Sequence, residues 1–391
     1  MHNIWRIDDT EIRSRPKAPL WARLFLILGV VLLLGGGIVV IANVFVASYA
    51  NHRIGNHNLL GDAGAQAQAP EHHVTVVGAK NILLVGLDAR PAQNPNDLVR
   101  ADSIILLHIP ANHDQAYLVS IPRDTYVHIP ADRATGWGGG YEKINAAYAF
   151  GRWHGGGTAG GVNLLAKTIQ SLGGPAPDAA AVIDFTGFQQ VVAALGGVYL
   201  CVDETTTSIH IGFTRNHVEK APFYLNSDGT VRGPVPGVTP VVYPKGLCKN
   251  FPAWQALDYV RQRDLLANHD LDYGRQRHQQ QFLKAVFKKL FSLGTFTNPL
   301  RLNRVLGALG KAMTIDDGGI SPSDWAYAMR AITPAALVTV KTNDGQLNPR
   351  IIGGISYELL SNDSRQLIGS LNHDTVGQFI QQHPTWVSAA A

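Results

Sequence analysis

The feature that most constrains this chain is a run of 24 uncharged residues, LFLILGVVLLLGGGIVVIANVFVA, from Leu24 to Ala47. At ~1.5 Å per residue, a helix of this length crosses a ~30 Å hydrocarbon core with some tilt, and it is too long for an ordinary buried core helix. Ser48, Tyr49 and Ala50 could form a cleavage site, but the apolar region is too long and the charged leader too extended for a secretory signal. The segment therefore reads as an uncleaved single-pass anchor. Arg6, Arg13, Arg15, Lys17 and Arg23 all precede it, whereas only Arg53 follows closely. The positive-inside bias then places residues 1–23 in the cytoplasm and everything after the span outside the cell, at the cell membrane.

That placement excludes ATP-driven cytosolic chemistry and permits disulfides. Cys201 and Cys248 are the two cysteines. Either they close a disulfide, worth roughly 2 to 4 kcal/mol, or they are two buried thiols that never meet. Lys+Arg number 33 against 29 Asp+Glu, a net charge of +4. A surplus that small over 391 residues is not the footprint of a nucleic-acid binder, so any basic function must be local.

Residues 48–77, rich in Asn, His, Gly, Ala and Gln, read as a flexible stalk. A domain then begins abruptly and runs over 78–385, leaving a short tail at 386–391. Asn81–Asp88, Ser103–Ile109 and Ala116–Pro122 are β-branched apolar runs bounded by polar turns, which predicts three buried strands. Helical patterns follow at Val162–Gly174, Phe185–Gly197 and Gln280–Gly294, each ended by glycine. A helix at Asp324–Ile332, a strand at Ala336–Thr342 and a helix at Asp374–Gln382 complete an α/β layer pattern. Glu204–Asn250 carries five prolines and no sustained period; it reads as a long loop serving a site or a partner.

Ionisable residues stand where strands run out into turns, the usual position of ligand sites in open α/β sheets. Asp88 follows ILLVGL, Asp102 precedes SIILLHI, and Arg123 and Asp124 follow YLVSIP. A second concentration lies in YVRQRD and DYGRQRHQQQ. An extended YVRQR would put Tyr259, Arg261 and Arg263 on one face, while Arg275 and His278 are neighbours at a helix start. Guanidinium clusters suit phosphate oxygens, and paired carboxylates suit a magnesium ion bridging them. A pyrophosphate fits both halves.

Taken together, NILLVGLDAR, RADSIILLHI, SIPRDTYVHIP, KINAAYAFG, IDFTGFQQVVAALGGV, ALDYVRQRD and DYGRQRHQQQFL resemble the LytR-CpsA-Psr family. The resemblance implies a three-layer α/β/α domain with a mixed central sheet. It also implies an Mg2+-dependent phosphotransferase that moves a glycopolymer from a polyprenyl-pyrophosphate carrier onto peptidoglycan. By matching motif, Asp88 and Asp102 would hold Mg2+. Arg100, Arg123, Arg261, Arg263, Arg275, His278 and Gln279 would contact the pyrophosphate, and Asp102, Arg123 and Asp124 would act in catalysis, with Asp102 or Asp124 accepting the attacking proton. Lys143, Asn145 and Tyr148 also match, the last two equally well as helix-packing residues. One departure stands out: the RxxR pair of the last motif is here Arg275 and His278, with Arg277 displaced by one. Either Arg277 supplies the missing charge or the site uses one fixed cation fewer. One other reading competes, a non-catalytic lipid-pyrophosphate binder that regulates or scaffolds the envelope; pyrophosphatase activity would be a side reaction of the transferase itself. DNA binding is opposed by topology. Glu204–Asn250 is the expected source of donor selectivity.

Overall fold

Strands β1 (Lys80–Leu87), β2 (Ala101–Ile109) and β3 (Ala116–Ile121) form an antiparallel meander at the centre of a six-stranded sheet. The computed structural model describes residues 57–64, 76–89, 98–226, 229–292, 307 and 310–388. The expected anchor at Leu24–Ala47 and most of the stalk lie outside the described residues. Among the described residues, no helix is long and apolar enough to cross a membrane.

Flanking the meander are β4 (Ala179–Ile183), parallel to β1; β5 (Met313–Asp316), antiparallel to β4; and β6 (Leu337–Lys341), parallel to β3. The order is β5-β4-β1-β2-β3-β6, a mixed sheet. The three central strands read as continuous apolar runs because both faces are apolar. Leu83, Val85, Ile104, Leu106 and Val119 point to one side. They pack with α1 (Ile144–Gly151), α2 (Gly157–Ser171) and the C-terminal helices Asn362–Asn372 and Val376–Gln382 in the main core. Helices α1 and α2 cross closely: a Cβ at Gly151 would come within 2.2 Å of the Gly160 carbonyl. Ile82, Leu84, Ile105, Leu107 and Leu118 point to the other side, below α5 (Leu271–Ser292). Helix α3 (Phe185–Ala194) and helix α4 (Ala253–Arg261) complete that side.

Two sequence expectations are corrected. Glu204–Asn250 is mostly paired strand: Thr206–Thr214 pairs with Glu219–Lys220 and Val238–Tyr243, Phe223–Leu225 with Val231–Pro234, and Cys248–Phe251 with Val198–Cys201. Much of these small sheets is exposed and the buried positions, Thr206, Ser208, Ile209, Tyr243 and Phe251 among them, are scattered, so no sustained alternation marks the segment, and Pro240 is accommodated at a register irregularity. YVRQR is not extended: Ala256, Tyr259 and Val260 are buried at helical spacing in α4, and the helix stops only at Gln262. There the Gln262 amide donates to the Asp258 carbonyl, 2.8 Å, and accepts from the Ile209 amide, 3.0 Å.

Cys201 and Cys248 lie directly opposite one another in their strand pair and are disulfide-bonded. The bridge closes a span of 47 residues containing the small sheets. Reduction, or Cys201→Ala with Cys248→Ala, should lower unfolding stability by about 3 kcal/mol; urea denaturation with and without reductant measures this.

Candidate active site

Strand direction brings the predicted strand-end residues together. β1 and β4 end where antiparallel β2 begins and where β3 runs out, so Asp88, Asp102, Arg123 and Asp184 gather at one end of the sheet. Asp102 owes its direction to a β-bulge. Gly86 pairs with Ser103 and Leu87 with Ala101, which leaves Asp102 as the extra residue. Bulges bend the strand and re-aim its side chains.

The Asp102 carboxylate is the hub. Arg123 Nη1 donates to its Oδ1 at 2.8 Å, and Arg275 Nη1 stands 3.8 Å from its Oδ2. Arg275 Nη2 also donates to the Asp102 carbonyl, 3.2 Å, and pairs with Asp272 one turn earlier on α5. Arg123 is backed by Asp124, 3.6 Å from its Nε, and Lys143 Nζ holds Asp124 at 2.9 Å. Burial works to raise the Asp102 carboxyl, but the Arg123 and Arg275 charges outweigh it and hold the group below the ordinary aspartate range. Asp124 is treated alike: burial opposes, Arg123 and Lys143 prevail, and it too is lowered. Burial likewise opposes the charge on Arg123, while Asp102, Asp272 and Asp124 raise its pKa.

The turn carrying Arg123 is fixed by α1. The backbone N–H of Asn145 donates to the Arg123 carbonyl, 3.2 Å, and that of Ile144 to the Thr125 carbonyl, 2.9 Å. Thus KINAAY serves through backbone caps, burial of Asn145 and Tyr148, and the Lys143 ion pair. Arg261, the last residue of α4, lies over the Phe185 ring at 4.0 Å, and Arg263 pairs with Asp264 at 3.3 Å. Gln279 accepts from the Ser103 hydroxyl, 2.9 Å.

These groups form one end of a cavity of about 820 Å³ between the sheet and α5, within the usual range for ligand sites. Asp88, Asp102, Arg123, Arg261, Arg263, Arg275 and Gln279 all line it. Away from that end the walls are mainly hydrocarbon, with Leu84, Leu107 and Ala181 from the sheet and Phe188 and Val191 from α3, and Asp316 and Asp317 line the far end. A single face of α5 runs the whole way, from Arg275 and Gln279 through Phe282 and Val286 to Leu290. At 1.5 Å per residue that is roughly 22 Å.

Three predicted contacts are not brought to this cavity. The Arg100 side chain is exposed and does not line it; its carbonyl accepts from the Asp88 amide, 3.2 Å. Asp124 lies behind Arg123 rather than on the wall. His278 is fully buried on another face of α5, stacked on Tyr259 at 4.2 Å. Arg277 does not replace the missing cation either, because it is tied to Asp203, Glu204 and Asp270. Sequence reasoning passed over Asp272, which its i,i+3 spacing to Arg275 could have revealed. It also passed over Phe185 as the platform under Arg261, a pairing with no local signal.

Asp102→Asn removes the charge that separates two guanidiniums and should cost about 3 kcal/mol at neutral pH. The Asp102 pKa is lowered on folding, so its contribution is complete above the unfolded value near ~4 and lost as pH falls through the folded one. Urea titrations should therefore show a constant gap between wild type and variant from pH 5 to 8 that closes only in acid.

Comparison with known proteins adds identity to this geometry. The model of the LytR_cpsA_psr family matches residues 56–367. The protein named polyisoprenyl-teichoic acid–peptidoglycan teichoic acid transferase TagU of Oceanobacillus iheyensis is 26% identical over 96% of this chain and 99% of its own. The probable cell wall biosynthesis protein LcpB of Corynebacterium glutamicum is 30% identical over 64% of this chain and 51% of its own. Among solved structures, TagT bound to LIIa-WTA superposes with a TM-score of 0.52 at 23% identity, covering 81% of this chain and 99% of that one. TagV of B. subtilis gives 0.53 at 18% identity, over 77% and 98%.

Proposed function

The chain belongs to the LytR-CpsA-Psr family, and from that premise we propose that it transfers a glycopolymer from a polyprenyl-pyrophosphate carrier to peptidoglycan. The observation that carries this reading is the division of the cavity: among the described residues, all four of its arginines stand at one end with Asp88 and Asp102, while aliphatic and aromatic side chains make up most of the remaining wall, with Asp316 and Asp317 at the far end. A polyprenyl pyrophosphate has the same division. The transferase name carried by TagU and the TagT structure with LIIa-WTA support the same substrate class.

In the proposed reaction an acceptor sugar hydroxyl attacks the phosphorus that bears the glycan. A new P–O bond forms, the bond to the bridging oxygen breaks, and its electron pair leaves with polyprenyl phosphate. Little covalent assistance is needed in such a transfer; positioning and charge stabilisation dominate. Arg123, Arg261, Arg263 and Arg275 supply fixed positive charge for the pyrophosphate oxygens. Asp102 and Asp124, both held ionised, orient Arg123 and Arg275, and neither has the near-neutral pKa of an efficient general base. The attacking proton passes to solvent or to Asp102, the carboxylate on the cavity wall. Asp88 and Asp102 are hard oxygen donors at the polar end, the chemistry Mg2+ takes, and the ion would neutralise charge on the phosphate oxygens when bound. The reading keeps Leu24–Ala47 as the anchor and the domain outside the cell, where the carrier's anhydride supplies the energy.

The test is transfer itself. Full-length protein, a synthetic polyprenyl-pyrophosphate glycan, peptidoglycan oligomers and Mg2+ should yield a phosphodiester-linked conjugate visible by mass spectrometry. Arg123→Ala and Arg275→Ala should each reduce its rate by at least about a hundredfold. Ala181→Trp, which fills the apolar part, should raise KM for long-chain polyprenyl donors far more than it lowers kcat, and should leave KM for short-chain donors little changed. Tight lipid binding without transfer or hydrolysis, across several donors, would move the assignment to the non-catalytic binder.

A further inference from the structure

The face of α5 turned away from the cavity carries a second concentration of charge. Asp203, Glu204 and Asp270 converge on one guanidinium, that of Arg277, so three carboxylates share a single cation. Into this group points His278, which is wholly buried, with neither ring nitrogen hydrogen-bonded among the described residues. Its Nε2 stands 3.4 Å from Asp203 Oδ1 and 3.7 Å from Glu204 Oε1. Those separations are too long for good hydrogen bonds. They match the ligand-to-ligand edge of a zinc tetrahedron, about 3.4 Å for bonds near 2.05 Å.

We propose that His278, Asp203 and Glu204 form a binding site for a divalent transition-metal ion, Zn2+ being the best fit, separate from the pyrophosphate site. One imidazole nitrogen with carboxylate oxygens is a donor set such ions accept. The charge also closes: a 2+ ion with Arg277 neutralises the three carboxylates. Outer partners are already in place. Tyr259 Oη donates to Asp203 Oδ1 at 3.0 Å, and the Asn268 backbone N–H donates to Glu204 Oε2 at 2.7 Å. The Tyr259 ring stacks on the imidazole and fixes its plane. The Cys201–Cys248 bridge, two residues before Asp203, anchors the strand that delivers both carboxylates. With His278 three residues beyond Arg275 on the same helix, the ion would fasten α5 in the orientation that presents Arg275 and Gln279 to the cavity.

The test uses the full-length chain in detergent, stripped of metal by a chelator and titrated with Zn2+ against a chromogenic indicator. Co2+ serves as the spectroscopic probe. One equivalent of Zn2+ should bind, and Co2+ should give the intense visible bands of a tetrahedral site. His278→Gln and Asp203→Asn should each weaken binding by more than about a hundredfold, the upper end of what loss of an outer partner alone costs. His278→Arg supplies a second cation for the carboxylates and should fold with native circular dichroism while binding none. Asp88→Asn, in the cavity, should leave Zn2+ stoichiometry and the Co2+ bands unchanged, which separates this site from the Mg2+ proposal. Uptake below a tenth of an equivalent by the wild type, or equal uptake by wild type and both His278 variants, would overturn the assignment.

Discussion

The position of Asp102 between Arg123 and Arg275 is the interaction on which the rest of the site depends. The two guanidiniums come from a strand end and from a helix far along the chain, and without the intervening carboxylate they would repel across a partly dry space. One anion draws both inward and leaves surplus positive charge facing the cavity. A single bulge residue makes this geometry available, since the extra position in β2 frees both the Asp102 side chain and its carbonyl for Arg275. Because Arg275 lies on α5, the same contact sets that helix against the sheet and fixes the width of the cavity below it.

The cavity follows from a conflict in the central sheet. Its strands are apolar on both faces, yet only one face is packed throughout by helices; the other is spanned by α5 and α3 across a gap. Small residues keep the gap open. Ala179 and Ala181 of β4 line it where larger side chains would close it. The helix above changes character along its length, cationic near Arg275 and hydrocarbon near Leu290, so a ligand must be both anionic and apolar to meet all of the walls.

Parts of this were legible in the sequence. β1 to β3 announced themselves through β-branched runs, and the strand-end acids and arginines were placed by the rule that such sites gather at strand termini. Arg261 and Arg263 were grouped for a mistaken reason, since α4 is helical, but they still reach one cavity because the helix ends at Gln262 between them. The strand at Ala179–Ile183 gave no signal, because the alanines that keep the cavity open have little β-propensity. The small sheets within 204–250 gave none either, because their buried positions are scattered among exposed ones. His278 was grouped with Arg275 from their i,i+3 spacing, but the wall that matters is the one shared by Arg275 and Gln279, and burial against Tyr259 turns the imidazole toward Asp203 and Glu204 instead.

The central claim is that one cavity reads a pyrophosphate and a prenyl chain together. Calorimetric titration of the full-length protein with geranylgeranyl pyrophosphate, geranylgeranyl monophosphate and inorganic pyrophosphate tests it most directly. The pyrophosphate lipid should bind at least about tenfold more tightly than either of the others, a difference of about 1.4 kcal/mol or more. Equal affinity for the lipid and for inorganic pyrophosphate would show that the apolar walls do not contribute. Equal affinity for the two lipids would show that the arginine cluster does not, and either result would contradict the account.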